Sequence, residues 1–89
     1  MRQIYRHLLT GVPATVLVLP RSSEFLSAGV QGDDIVVWTA FDPDDQMPGQ
    51  FEVLVVPTGG TFNNENGYDF VQTVFMSWMV FHIFVRKIA

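Results

Sequence analysis

The feature that most constrains the fold of this chain is an apolar run near its C-terminus, Phe70–Val85, which reads FVQTVFMSWMVFHIFV. Its 16 residues fall short of the about 20 that a membrane-spanning helix needs, and polar residues interrupt it. The run is also rich in valine and phenylalanine, which favour β-strands. We therefore expect that this run forms buried strands and that the protein has no membrane partner. A short turn at Phe75–Trp78 could divide the run into two strands, or a bulge could bend one long strand.

Turn-forming residues recur at regular intervals along the chain and separate short runs of β-branched and aromatic residues. Such spacing is typical of an antiparallel β-sandwich or barrel, and no segment has the apolar period of a helix. The pattern predicts a single all-β domain over residues 1–89, an antiparallel sandwich or small barrel of about six or seven strands. The predicted strands are Gln3–Leu9, Ala14–Leu19, Phe25–Val30, Ile35–Phe41, Phe51–Val56, Phe70–Phe75 and Trp78–Arg86.

The connections and the strand faces add two expectations. Gly32 predicts a tight hairpin between Val30 and Ile35, because glycine readily adopts a positive φ, and segments 42–50 and 57–69 read as long loops. Several strands are apolar on both faces, whereas a half-exposed strand would alternate. A partner sheet, a long loop or another subunit must therefore cover the second face. Because large apolar patches are rare on monomers, we expect a homodimer.

Composition excludes several classes of protein. The chain has no cysteine, so disulfides and zinc–thiolate sites are excluded and the fold depends on its core or on self-association. A formal net charge of −4 argues against direct binding of nucleic acid, because phosphate contacts need a basic surface. Residues 1–9 lack the long apolar segment of a secretory signal, so we expect no such signal there.

His82 is the most conspicuous candidate for chemistry. Imidazole titrates near neutral pH, but base catalysis needs a positioned partner, and the sequence offers none. We therefore expect a partly buried histidine bonded to a neighbouring strand or loop. No serine has a nucleophile-elbow context, and the acidic segments lack the ligand spacing of an EF-hand. The sequence predicts a protein that is not an enzyme and uses neither a metal nor a cofactor.

A binding surface in the polar loops is the stronger hypothesis. Aromatic residues flank several turns, among them Trp78, and such rings are enriched at binding hot spots. Phe62 and Tyr68 are hard to explain as core, so we expect them to bind a partner and to contribute little to stability. The candidate partner-binding residues are Phe62, Asn63, Asn64, Glu65, Tyr68, Asp44 and Asp45.

A small-ligand module, for example one that sequesters a nucleotide signal, is the alternative. Glycine in the segment Thr58–Thr61 lets the backbone approach ligand oxygens, and an aromatic ring can stack on a base. The candidate residues are Arg6, Trp38, Thr58, Gly59 and His82. Because phosphates need paired cations, this hypothesis requires Arg6, Arg21, Arg86 or Lys87 to converge. For Trp38 the favoured interpretation is a place in the core.

Segments distributed over nearly the whole chain resemble a family of short bacteriophage and prophage proteins. The most specific are Trp38-Thr39-Ala40-Phe41-Asp42-Pro43, similar to a W-x-x-x-D-P segment, and Val80-Phe81-His82-Ile83-Phe84, similar to a V-F-H-x-F ending. The chain departs from the family at Gly60, where members often have Gly-His. Its loop Phe62–Tyr68 also has no counterpart in the pattern.

The resemblance implies a β fold, a phage origin and a place in the cytoplasm of the infected bacterial host, but it supplies no active site. Together with the small size, it suggests an accessory protein that binds a host protein and inhibits it, as counter-defence proteins such as anti-CRISPRs do. A minor structural protein of the phage particle is a further alternative.

Overall fold

The computed structural model describes residues 1–10 and 13–89, and the prediction of an all-β fold is confirmed. Within these residues the chain forms seven strands and one short 3₁₀ turn, Asn64–Asn66. All strand pairs are antiparallel. The strands are β1 (Gln3–Leu9), β2 (Ala14–Pro20), β3 (Glu24–Gln31), β4 (Asp34–Phe41), β5 (Pro48–Pro57), β6 (Asp69–Met76) and β7 (Met79–Lys87).

The strands form two sheets that pack face to face as a small sandwich. Sheet A has the order β1-β4-β3 and sheet B the order β2-β5-β7-β6. Their inner faces contribute the core, in which Val37 of β4 and Val53, Val55 and Ile83 of sheet B are almost completely buried. Along one side of the sandwich, β3 of sheet A packs beside β6 of sheet B.

Two tight hairpins fix the local pairings. In the β3–β4 hairpin Gln31 pairs with Asp34, and Gly32 has the positive φ of 62° that the sequence predicts. The C-terminal apolar run forms two strands, β6 and β7, rather than one bent strand, because Met76 pairs with Met79 across a two-residue turn. In the part of the chain that the structure describes, no helix is long and apolar enough to span a membrane.

The loop predicted over residues 42–50 is shorter than expected, because β5 already begins at Pro48. Gly49 pairs with Leu19 of β2, and the Gln50 N–H donates to the carbonyl of Ala89 at 2.8 Å. A Cβ on Gly49 would lie 3.1 Å from Cα of Arg21, so only glycine fits without a shift. Proline is tolerated as the first residue of a strand.

Trp38 does not belong to the core, and that prediction is wrong. Its neighbour Val37 points inwards, so alternation turns Trp38 to the outer face of sheet A. The ring is half-buried there because it packs against Gly29 of β3, where a Cβ would lie 3.1 Å from Cζ3 of Trp38. The apolar outer face of β4 is thus partly covered by a side chain of its own sheet.

Candidate functional site

Segment 58–68 lies against the outer face of sheet B. The Phe62 ring packs 4.4 Å, centroid to centroid, from Phe84 on the outward side of β7, and Phe70 of β6 meets Phe84 at 5.7 Å. The Tyr68 ring lies edge-on to Phe62 at 6.3 Å. The sequence left open whether a sheet, a loop or another subunit covers this second apolar face, and over Phe84 the cover is a loop.

A hydrogen-bonded group fastens the end of this loop to sheet B. The Tyr68 hydroxyl donates to Oε1 of Glu52 at 2.6 Å, and Nε of Arg86 donates to the same oxygen at 2.7 Å. The bond from Tyr68 and then that from Arg86 hold the pKa of Glu52 below its ordinary value. The bond to Glu52 in turn raises the pKa of Tyr68. Tyr68, predicted to bind a partner, therefore has an intramolecular role.

The other predicted partner-binding residues of this loop form a short capped turn. Asn63 Oδ1 accepts the Glu65 N–H at 2.9 Å, and the Gly67 N–H donates to the carbonyl of Asn64 at 3.2 Å. The side chains of Asn64 and Glu65 are exposed. Asn63 thus shapes the turn, while Asn64 and Glu65 remain accessible to a partner.

Asp44 and Asp45 lie in a different segment, the β4–β5 connection. Asp45 accepts from Nε of Arg21 at 2.9 Å and from the Met47 N–H at 3.2 Å. Segment 58–68 begins at the opposite end of β5 from this connection, but it runs back along sheet B, so that Tyr68 contacts Glu52 in the first half of β5. The candidate partner-binding residues therefore come from two connections, one before and one after β5.

His82 joins the loop to two strands of sheet B. Its Nε2 lies 2.8 Å from the Thr58 hydroxyl and its Nδ1 3.1 Å from the Thr73 hydroxyl of β6. The half-buried histidine bonded to a strand and a loop is as predicted. A hydroxyl beside an imidazole is the first part of a nucleophilic triad, but here the third group is a neutral hydroxyl, which does not stabilise an imidazolium as a carboxylate does. The two hydrogen bonds of His82 are therefore suited to holding the loop that begins at Thr58 against sheet B.

The residues of the alternative ligand site fall into two groups. Arg6 and Trp38 are paired across β1 and β4 on the outer face of sheet A, whereas Thr58, Gly59 and His82 lie at sheet B. Within the described ranges, no group of three or more His, Asp or Glu residues is arranged to hold a metal ion.

The cations do not converge as a phosphate site requires. Arg21 pairs with Asp45 and Arg86 with Glu52, while Arg6 donates to the Gln31 side chain. Lys87 Nζ donates to the Arg21 carbonyl at 3.2 Å, so these two residues are neighbours, but the Arg21 guanidinium is bonded to Asp45.

The most exposed aromatic side chains lie at the β6–β7 hairpin. Trp78, in the turn, is 86% exposed, and Phe75, paired with Val80 across the hairpin, is 71% exposed. We call Phe75, Trp78 and Val80 the hairpin patch. The sequence marks Trp78 as an aromatic residue beside a turn but misses Phe75, because an apolar run does not reveal which of its faces remains uncovered.

Comparison with known proteins gives a family and no closer relative. Neither a search of curated proteins nor a search of solved structures finds a match. One family model matches the chain over residues 1–89, its full length. The chain therefore belongs to the family described as Domain of unknown function (DUF7352).

Proposed function

We propose that this protein acts by binding another protein through the hairpin patch. The observation that carries this proposal is the exposure of Trp78 and Phe75 on a tight hairpin. Large exposed apolar patches mark interaction sites, and tryptophan in particular is enriched among the residues that dominate binding energy. Thr58, whose N–H donates to the carbonyl of Val80 at 3.0 Å, supplies a polar group beside the patch for the rim of such an interface.

The charge distribution supports a protein partner over a nucleic acid. Three arginines are paired with carboxylates, Arg2 with Glu24, Arg21 with Asp45 and Arg86 with Glu52, and the net charge is −4. Such a surface offers few free cations for phosphates. It suits a partner with basic residues around an apolar pocket, because complementary charge raises the association rate.

The resemblance to short phage proteins suggests the class of partner. We propose a host protein that this chain inhibits in the cytoplasm of an infected bacterium, in the manner of an anti-CRISPR or another counter-defence inhibitor. A small acidic protein with an exposed aromatic hairpin can act by occupying a functional pocket of its partner, which requires no catalytic residues.

A binding experiment with matched variants tests the proposal. Tagged wild-type protein should retain a host protein from bacterial lysate, and titration of the purified partner should then give its affinity. The double variant Phe75→Ser, Trp78→Ser should lose binding by at least about a hundredfold, as loss of two hot-spot residues does. Leu26→Ser, which removes an exposed apolar side chain from β3, should bind as the wild type does.

The opposite pattern would assign the site to the loop. If the hairpin variant binds normally while Asn64→Ala, Glu65→Ala loses the partner, the capped turn is the interface and the proposal is wrong. Retention of RNA or DNA instead of protein would also overturn it.

A further inference from the structure

The two sheets have four edge strands, and three of them carry features that hinder pairing with another strand. Unprotected edges offer free backbone groups, which proteins block with charges, bulges or neighbouring elements. β3 and β6 each contain a register shift and lie beside one another, and β1 carries Arg6 and His7. β2, with the sequence ATVLVLP, has no charge and a continuous register with β5. Among the described edges β2 is the least protected, because Pro20 lies only at its end and residues 14–19 carry neither a charge nor a bulge.

The register of β2 identifies its outward-facing backbone groups. The Val55 N–H donates to the carbonyl of Pro13 at 2.8 Å, so the residue at position 13 faces β5. Because these directions alternate along an antiparallel strand, Ala14, Val16 and Val18 direct their N–H and C=O groups away from β5. Val16 and Val18 are 55% and 65% exposed. The three residues are spaced symmetrically about Val16.

The sandwich is also open on the β2 side. Tyr5 of β1 pairs with the fully buried Thr39 and so points to the inner face, yet it is 51% exposed. A cleft of about 390 Å³ lies here, lined by residues that include Tyr5 and His7 of sheet A, Leu19 of sheet B and Gln46 of the β4–β5 connection. An added peptide strand would pair with β2 but leave this cleft uncovered, whereas a second folded copy brings its own sheet A to the same side.

We infer that β2 is the edge through which two copies of this chain associate. Antiparallel pairing about a two-fold axis at Val16 places Val16 opposite its counterpart and Ala14 opposite Val18. The three residue pairs form about six hydrogen bonds, two for each pair. Because β2 is uncharged, self-pairing brings no like charges together, and an interface of this kind is self-complementary as a two-fold axis requires. The two copies of sheet B become one continuous sheet.

This inference does not rest on the proposed function, because the hairpin patch belongs to β6 and β7, at the edge of sheet B opposite to β2. Sedimentation velocity of the wild type should give twice the chain mass of 10.1 kDa. Val16→Lys and Val16→Glu should each sediment as monomers, since like charges meet at the axis. An equimolar mixture of the two should recover the double mass. Ile4→Lys, at an exposed position of edge strand β1, should remain dimeric.

Amide hydrogen exchange of the wild type provides a test that needs no variant. The Val16 and Val18 amides should be protected at high concentration and exchange at least about tenfold faster on dilution, while the Leu17 amide stays protected by β5. A monomeric wild type, a dimer that Ile4→Lys but not Val16→Lys dissociates, or concentration-independent exchange at Val16 would each overturn the inference.

Discussion

At the scale of single residues, Glu52 accepts two hydrogen bonds on one carboxylate oxygen, from Tyr68 and Arg86. These bonds lower its pKa in the folded protein below the ordinary value of 4.5, which the unfolded chain retains. As the pH falls below that value, the unfolded chain binds the proton first. The stability that Glu52 contributes is therefore fully present above its unfolded pKa and is lost as the pH falls through the folded pKa.

Replacing this carboxyl should flatten the acid limb of the stability curve. We expect the free energy of unfolding of Glu52→Gln, measured by urea titration at several pH values, to fall less steeply than that of the wild type below about pH 4.5. The bond from Arg21 also lowers the pKa of Asp45, so Asp45 adds its own pH dependence to the free energy of unfolding. Asp45→Asn is therefore the matched comparison. Parallel curves for Glu52→Gln and the wild type would show that the Glu52 bonds do not persist in solution.

The loop residues that the sequence assigns to a partner should also matter for stability. The sequence predicts that Phe62 contributes little, but its stacking on Phe84 predicts that Phe62→Ala lowers the free energy of unfolding by about 1–2 kcal/mol, less than for a buried ring. His82→Ala, which breaks two hydrogen bonds, should cost a similar amount. Asn64→Ala should leave the free energy of unfolding unchanged. If Asn64→Ala lowers it as much as Phe62→Ala does, any mutation in the loop destabilises the protein and the Phe62–Phe84 contact is not the cause.

At the scale of elements, the two hairpins place different residues at the same turn position. Gly32 and Ser77 each begin a two-residue turn with a positive φ, 62° and 54°. Glycine takes this conformation without strain, whereas serine has a Cβ that opposes it. Ser77 is the one non-glycine residue with a positive φ in the described chain.

Exchanging the two turn residues should have opposite effects. Ser77→Gly should raise the free energy of unfolding by roughly 0.5–1 kcal/mol, and Gly32→Ser should lower it by about 1 kcal/mol. Chemical denaturation of both variants measures the difference. If Ser77→Gly destabilises the protein, the serine side chain makes a contact that outweighs the backbone strain.

Strand positions are predictable from this sequence, and strand faces are not. Each run of β-formers ends at a turn residue, so β1 has the bounds that the pattern predicts and most other strands differ by one residue at one or both ends. β5 begins earlier because Gly49 and Gln50 pair with β2 and with Ala89, partners distant in sequence. Which apolar face of a strand is covered depends on where the loops lie, and the sequence pattern does not show this. The sequence therefore wrongly predicts a core position for Trp38 and does not identify Phe75 as exposed.

At the scale of the whole molecule, the two-sheet architecture predicts the solution spectrum. We expect a far-UV circular dichroism spectrum of β type and recovery of the protein without detergent, because the apolar C-terminal run forms two half-covered strands of a sandwich rather than a helix. Trp78→Ser should leave the far-UV spectrum unchanged, since its side chain lies outside the core. A helical spectrum would contradict the fold.

The strand order also has a consequence for how the chain folds during synthesis. Leu9 pairs with Ile35 and Leu19 with Gly49, so both early strands must wait about 30 residues for their partners, and such non-local pairing slows folding. β7, the last strand to emerge, lies inside sheet B between β5 and β6. Sheet B cannot be completed until β7 has emerged from the ribosome, and until then the edge of β5 that pairs with β7 is available to chaperones or to neighbouring nascent chains.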